Sequence, residues 1–275
     1  MTENKKGSLV VVGTGIDVAG QMTIKAKSYI ENADIVFAAA PGKAAMHWLN
    51  SLNKNVVSLM DLYAEGKSRV NTYRQMTSRI VDAVHEGQDV CAAFYGHPGV
   101  FVTPSHKAIA QLKAEGYDAH MEPGISAEDC LIADLGIDPG MTGSQAFETS
   151  QFLFYKHTID PSCMVLFWQI GIAGEHSFRT SLPDKCQLGL EVLTSILLKD
   201  YPADHEVILY EAASLPILPP RIERMPLADL PLCKPTAIST LVIPSKGLPG
   251  FDHETLAKFG ITAEDLKANI NPEPE

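Results

Sequence analysis

The first half of the chain alternates short apolar runs with segments of helical period, and that order restricts the fold more than any other feature. SLVVVG precedes QMTIKAKSYIENA, DIVFAAA precedes KAAMHWLNSL, NVVSL precedes SRVNTYRQMTSRIVDAVHEG, and DVCAAFYG precedes SHKAIAQLKAEG and YDAHMEP. Such βα order calls for a mostly parallel sheet with helices on both faces. Ligands of these sheets gather at the carboxyl ends of the strands. After about residue 135 the texture changes: LFYKHTIDPSCMVLFWQIG, LGLEVLTSILLKDYP, HEVILYEAA and AISTLVIP predict a second α/β lobe with longer loops. The strip LPILPPRIERMPLADLPL carries enough proline to predict no regular structure. The tail FDHETLAKFGITAEDLKANINPEPE predicts one or two short amphipathic helices and a polar end. The expected division is residues 1–135, an N-terminal α/β lobe; 136–248, a C-terminal α/β lobe; and 249–275, a short helical polar tail.

Composition narrows the partners. A formal net charge of −11 disfavours nucleic acid, whose non-specific affinity comes from clustered Lys and Arg. The five cysteines are scattered, odd in number and free of CxxC spacing, so they read as core thiols in a reducing cytosol. Nine histidines form no HxxxH pair, and no metal is expected. No signal-peptide pattern or apolar run long enough for a bilayer is present, which predicts a cytoplasmic protein without a membrane partner.

Several loops carry chemistry. GTGID, residues 13–17, follows the first strand but lacks the GxGxxG spacing and the later acidic residue of a dinucleotide site; it is a structural turn or a backbone contact for a ligand. In FYGHPGVF, residues 94–101, two glycines flank a proline of fixed φ, while Tyr95 and His97 offer polar edges. It suits close approach to a small molecule and equally suits a turn with Phe94, Val100 and Phe101 in the core. MEPGISAEDC repeats the arrangement, with Ser126 placed to cap a helix. Two such loops in one lobe favour a ligand crevice. Tyr63, Arg69 and Tyr73 gather in DLYAEGKSRVNTYRQM; with a helix starting near Ser68, Arg69 and Tyr73 share a face. In FWQIG, Gln169 ends an apolar run, where an amide can read an adenine edge or satisfy backbone.

The ordered motifs VVVGTGID, YGHPGVF, MEPGISA, FWQIG and AISTLVIP resemble the tetrapyrrole methylase superfamily over about residues 8–245, with IDVAG where most members carry Pro-Gly. LYAEGKSRVNTY followed by YGHPGVF resembles, more specifically, the borosin peptide α-N-methyltransferases. The resemblance implies a two-lobed fold, with a mostly parallel N-terminal sheet, a mixed C-terminal sheet and S-adenosylmethionine in the cleft between them. It implies no metal, with S-adenosylhomocysteine as product, and an interlocked homodimer. It further implies that Tyr95, His97, Val100, Phe101, Ser126, Gln169, Thr236 and Ala237 line the donor site. It also implies that Tyr63, Arg69 and Tyr73 face the peptide; with Tyr95, expected to orient the carbonyl or the sulfonium, they are the expected catalytic residues.

A peptide nitrogen is a poor nucleophile because its lone pair is delocalised into the carbonyl. The expected remedy is that Arg69 favours the phenolate of Tyr73, which takes the amide proton, while Tyr63 donates to the carbonyl oxygen. Rival readings are a methylase of a corrin-like small molecule and a non-catalytic peptide-binding module. The tail ends in KANINPEPE, without the Val, Ile or Gly run of a core peptide, so the precursor peptide is expected on a separate chain.

Overall fold

The computed structural model describes residues 6–175 and 184–270. Its first sheet contains β1 (Ser8–Gly13), β2 (Ile35–Ala39), β3 (Val56–Ser58), β4 (Asp89–Phe94) and β5 (Asp118–Met121). They lie in the order β3-β2-β4-β1-β5 with every pair parallel. The crossovers are α1 (Ile24–Asn32), α2 (Lys43–Leu52), α3 (Arg69–His85) and α4 (Thr103–Ala114). Alternation along β1 explains why both faces are covered. Leu9 and Val11 pack with Met76, Ile80, Ala108 and Leu112, whereas Val10 and Val12 pack with Ala26, Ile30 and Leu49. A strand buried on both sides reads as a continuous apolar run, which is what SLVVVG does.

Beyond α5 (Ala127–Leu135) lie β6 (Ser144–Glu148), α6 (Thr149–Phe154), β7 (Met164–Trp168), α7 (Asp184–Leu197), β8 (Glu206–Glu211), β9 (Arg221–Pro226) and β10 (Thr240–Ile243). The second sheet runs β6-β7-β10-β8-β9, with β6 and β7 parallel and the remaining neighbours antiparallel. The expected pairing of a parallel sheet with a mixed one is therefore observed. On one face, Val165, Phe167, Val207, Leu209 and Leu241 pack with Leu190, Leu193 and Leu197 of α7. On the other, Leu166, Trp168, Ile208, Tyr210 and Val242 pack against Ile16, Cys130 and Leu131. Thus α5 and the loop after β1 supply the second sheet's missing layer. Tyr210 donates to Asp134 Oδ2 at 2.6 Å, and Val18 N–H donates to Ser214 O at 3.1 Å across the same junction.

The proline strip departs from expectation. It holds β9 and a 3-10 segment, Leu227–Leu232. Proline is tolerated because β9 is the edge of the sheet, Pro226 ends the strand, and Pro231 lies in the short 3-10 turn. The sequence pattern does not announce the short β6 and α6: SQAFE has no clean two-residue period, with its burial alternating only weakly. The tail folds as α8 (His253–Lys258) and α9 (Ala263–Ile270), as its pattern predicts. All five cysteines are free; Cys91, Cys130 and Cys186 are buried. Among the described residues no helix is long and apolar enough to cross a membrane.

Leu166 is fully buried where the two halves meet. Leu166→Ala should cost about 2–5 kcal/mol of stability, the range for truncating a buried leucine. Urea denaturation followed by circular dichroism checks this, and a loss below about 1 kcal/mol would mean that the junction relaxes around the cavity.

Candidate active site

Three loops at the carboxyl ends of β1, β4 and β5 meet backbone against backbone. A Cβ on Gly13 would lie 2.3 Å from Gly96 O and 3.3 Å from Gly124 Cα, so no side chain fits there. Gly96 N–H donates to Gly15 O at 2.9 Å, and Thr14 N–H donates to Phe94 O at 2.8 Å. GTGID is thus the packing floor on which FYGHPGVF rests. Gly15 and Gly96 both have positive φ, which glycine adopts without strain.

From that floor rise the residues expected on the donor side. Tyr95 packs beside the junction core, and burial, with Cys130 adding to it, pushes its phenol above the usual range. His97 Nδ1 accepts from Gly99 N–H at 3.0 Å, so the ring braces its own turn. Val100 and Phe101 are exposed, at 44% and 54%. Phe101 holds φ +56°, an uncommon conformation for an aromatic residue, and its ring lies 6.3 Å from that of Trp168. This contact links the loop after β4 to the end of β7. Gln169 follows, itself at φ +60°. Ser126 caps α5 in a capping box with Asp129: its Oγ accepts from Asp129 N–H at 3.3 Å and donates to Asp129 Oδ2 at 2.7 Å. Its hydroxyl is therefore committed to the helix, as the sequence position implies.

Thr236 and Ala237 are exposed on the turn before β10, close against the Gln169 turn. A Cβ on Gly171 would stand 2.0 Å from Thr236 O, and Ile170 N–H donates to Ser239 O at 3.1 Å. Glu211, which the sequence reading passed over, anchors this turn. Its Oε1 accepts from Thr236 Oγ1 at 2.9 Å and from Ser239 Oγ, and it pairs with Arg221 at 2.9 Å. The available signal was an acidic residue ending the apolar run VILYE, where burial demands a partner.

The loop after β3 carries the second cluster. Tyr63 is hydrogen-bonded to Tyr73, and Arg69 lies within electrostatic reach. Burial, reinforced by Tyr73, pushes the Tyr63 phenol well above the usual tyrosine range, and the Arg69 cation only partly opposes this. Arg69 is the first residue of α3, where the positive end of the helix dipole disfavours a cation. The Ser68 side chain makes no capping bond there. The structure therefore brings Tyr63, Arg69 and Tyr73 together. Among the described residues no group of His, Cys, Asp and Glu has the arrangement of a metal site.

Residues 8–231 match the family described as tetrapyrrole (corrin/porphyrin) methylases. The chain belongs to this family. It is 40% identical, over 98% of its own length, to a methyltransferase/ribosomally synthesized cyclic peptide omphalotin A precursor from Omphalotus olearius, of which 66% is covered. It is 40% identical over 96% to the gymnopeptides precursor methyltransferase of Gymnopus fusipes and 42% identical over 89% to the dendrothelin A precursor methyltransferase of Dendrothele bispora. The match covers 63% and 59% of those relatives, so the chain spans roughly two thirds or less of their length. In fold it is similar to uroporphyrin-III-C-methyltransferase from Thermus thermophilus, at 17% identity and a TM-score of 0.63 over 90% of this chain and 99% of that one. Cobalt precorrin-4 methyltransferase is similar at 14% identity and a TM-score of 0.61, over 86% and 94% of the two chains.

Two outcomes follow from this geometry. Gly171→Ala drives a methyl group into the Thr236 carbonyl, and overpacking of this kind costs about 1–3 kcal/mol. Thermal denaturation should show the loss, and an unchanged midpoint would mean the two turns separate freely. In an alkaline absorbance titration, Tyr63→Phe should remove no phenolate signal below about pH 10, the ordinary tyrosine midpoint, because Tyr63 stays protonated there. Loss of signal in that range would show that burial does not protect it.

Proposed function

We propose that this chain is a cytoplasmic, homodimeric methyltransferase that moves a methyl group from S-adenosylmethionine to backbone amide nitrogens of a ribosomally made peptide. The observation that carries the reading is the Tyr63–Tyr73 hydrogen bond beside Arg69, on the row of strand ends that also holds Tyr95. The relatives support the peptide acceptor, being named as both methyltransferases and cyclic peptide precursors. The donor-side residues fit an adenosyl sulfonium compound. Phe101 and Ile238 leave apolar surface exposed, Gln169 and Thr236 offer polar groups beside it, and two non-glycine residues, Phe101 and Gln169, are held at positive φ. Strain of that kind collects at ligand sites.

When bound, S-adenosylmethionine supplies an electrophilic methyl group with a neutral thioether as its leaving group. The chain's task is then the amide proton. As the nitrogen–methyl bond forms and the sulfur–methyl bond breaks, the proton passes to the Tyr73 phenolate oxygen. Arg69 offsets the negative charge on that oxygen before the transfer. Tyr63, kept as a phenol by burial, donates to Tyr73 at rest and to the amide carbonyl as charge develops there. Tyr95, half-buried beside the junction, orients the acceptor against the donor.

The acceptor segment is proposed to lie on a separate chain. The segment after β10 folds as α8 and α9, which would have to unfold for these residues to serve as the acceptor. The relatives' names describe enzyme and precursor together, and the fused arrangement is the competing outcome. Intact-protein mass spectrometry separates the two. With donor alone the chain should gain no methyl groups, while a co-expressed short precursor rich in Val, Ile and Gly gains them on backbone nitrogens. Methyl groups mapped to this chain's own residues would overturn the separate-chain assignment. Tyr73→Phe and Arg69→Ala should lower turnover by at least about 100-fold, the lower range for a general base, with donor affinity by calorimetry unchanged. Wild-type single-turnover rates in both variants would remove the proton-transfer assignment.

A further inference from the structure

The phenol pair depends on a loop whose backbone is held mainly by its own turns. Leu59 N–H donates to Ala38 O at 2.8 Å and ties the start of that loop to β2. Beyond it the bonds are local: Tyr63 N–H donates to Met60 O at 3.2 Å, and Lys67 N–H donates to Ala64 O at 3.0 Å. Tyr63 nevertheless reaches Tyr73 on α3, with which it is hydrogen-bonded. Side chains along another face of α3 supply the fastening. Lys67 Nζ donates to Leu62 O and to Gln75 Oε1, both at 2.5 Å, so one ammonium group bridges the residue before Tyr63 to the helix. Arg79 Nη1 donates to Asp61 Oδ1 at 3.1 Å, to Asp61 Oδ2 at 3.2 Å and to Ser58 O at 3.3 Å, which secures the loop's first turn.

Helical spacing keeps this brace apart from the reacting groups. Arg69 and Tyr73 are four residues apart and share one face of α3; Gln75 and Arg79 are four apart and share another. An open groove of about 400 Å³ borders the second face, walled by Leu62, Arg74, Gln75, Ser78, Arg79 and Asp82. Gln75 and Arg79 therefore face solvent, and the cations bonded there escape the desolvation of a buried ion pair. The two holds are unequal. Arg79 and Asp61 form a solvated pair, a kind that contributes little to stability. Lys67 makes charge-assisted bonds to a backbone carbonyl and to an amide oxygen on the helix, and such bonds are stronger than neutral ones. Lys67 is thus the principal fastening.

We infer that Lys67 is a positioning residue, with Gln75 and Arg79 as its supports, and that it holds the loop after β3 in the register that keeps Tyr63 against Tyr73. It acts through the Leu62 carbonyl, which belongs to the peptide bond leading into Tyr63. Without the ammonium group the loop keeps its local turns but loses its tie to α3, so Tyr63 spends less time beside Tyr73. The hold on Tyr63 stands on geometry alone; its consequence for turnover rests on the methyl-transfer reading given above. Misplacing a reacting group by about 1 Å costs about 100-fold in rate, which sets the upper end of the effect.

Lys67→Met removes the donors and keeps the length of the side chain, while Lys67→Arg keeps a cation able to donate to both acceptors. Burial holds the Tyr63 phenol above the usual tyrosine range, with Tyr73 adding to the shift and Arg69 opposing it. In Lys67→Met the loosened phenol should titrate near the ordinary midpoint of about 10, giving about half an equivalent of extra phenolate absorbance at that pH. The extra signal should be missing from Lys67→Arg and from the double variant Lys67→Met, Tyr63→Phe. Single-turnover methyl transfer to a short precursor peptide should fall at least about 10-fold in Lys67→Met and recover in Lys67→Arg, with S-adenosylhomocysteine affinity by calorimetry unchanged. Gln75→Leu, which removes the helix end of the bridge, should move both readouts the same way by less. Thermal midpoints show whether each variant is folded. An unaltered phenolate count in folded Lys67→Met, or extra phenolate with wild-type turnover, would overturn the positioning role. Extra phenolate in Lys67→Met beside a wild type that methylates no peptide would sink the methyl-transfer reading and leave the hold on Tyr63 standing.

Discussion

The second sheet has two apolar faces but only one set of its own helices, and the rest of the molecule is arranged around that deficit. Leu166, Trp168, Ile208, Tyr210 and Val242 point away from α7, and α5 with Ile16 covers them. At roughly 25 cal/mol for each Å² of apolar surface removed from water, a face of this size cannot be left open. Covering it forces the two lobes into one shared core. That core joins the lobes at the loop after β1 and at α5, and the Phe101–Trp168 contact joins the loop after β4 to the end of β7.

The first sheet was legible because burial on both faces gives unbroken apolar strands, and helices between them show a 3.6-residue period. The second half was less so. Its edges, β6 and β9, carry Gln, Glu and Arg and lie where one face meets solvent, so neither period is clean. Proline punctuates β9 at positions that cost nothing at an edge but resemble loop in the sequence. The site was legible in part for a related reason. Gly13, Gly96 and Gly124 advertise close backbone approach, and the four-residue spacing of Arg69 and Tyr73 shows a shared helix face. At Glu211 the sequence shows only an acidic residue ending an apolar run; its partners, Thr236, Ser239 and Arg221, come from two later segments and no local pattern joins them.

Local rules fail where the chemistry is proposed. Arg69 opposes the dipole of its own helix, and Phe101 and Gln169 occupy a conformation that most side chains avoid. Each exception is held by structure that would not need it for stability alone: the Tyr63–Tyr73 pair, the Trp168 contact and the Glu211-anchored turn. The fold is shared with uroporphyrin-III-C-methyltransferase and cobalt precorrin-4 methyltransferase at low identity, so what is particular to this chain lies in its loops rather than its sheets.

The glycine floor decides which parts of the loop cluster can adjust. Where Gly13, Gly96 and Gly124 touch, the contact is backbone against backbone, with the ring of Pro98, whose φ is fixed, beside it. A floor of this kind keeps one shape whatever lies above it, so any adjustment has to originate in the side chains of the walls.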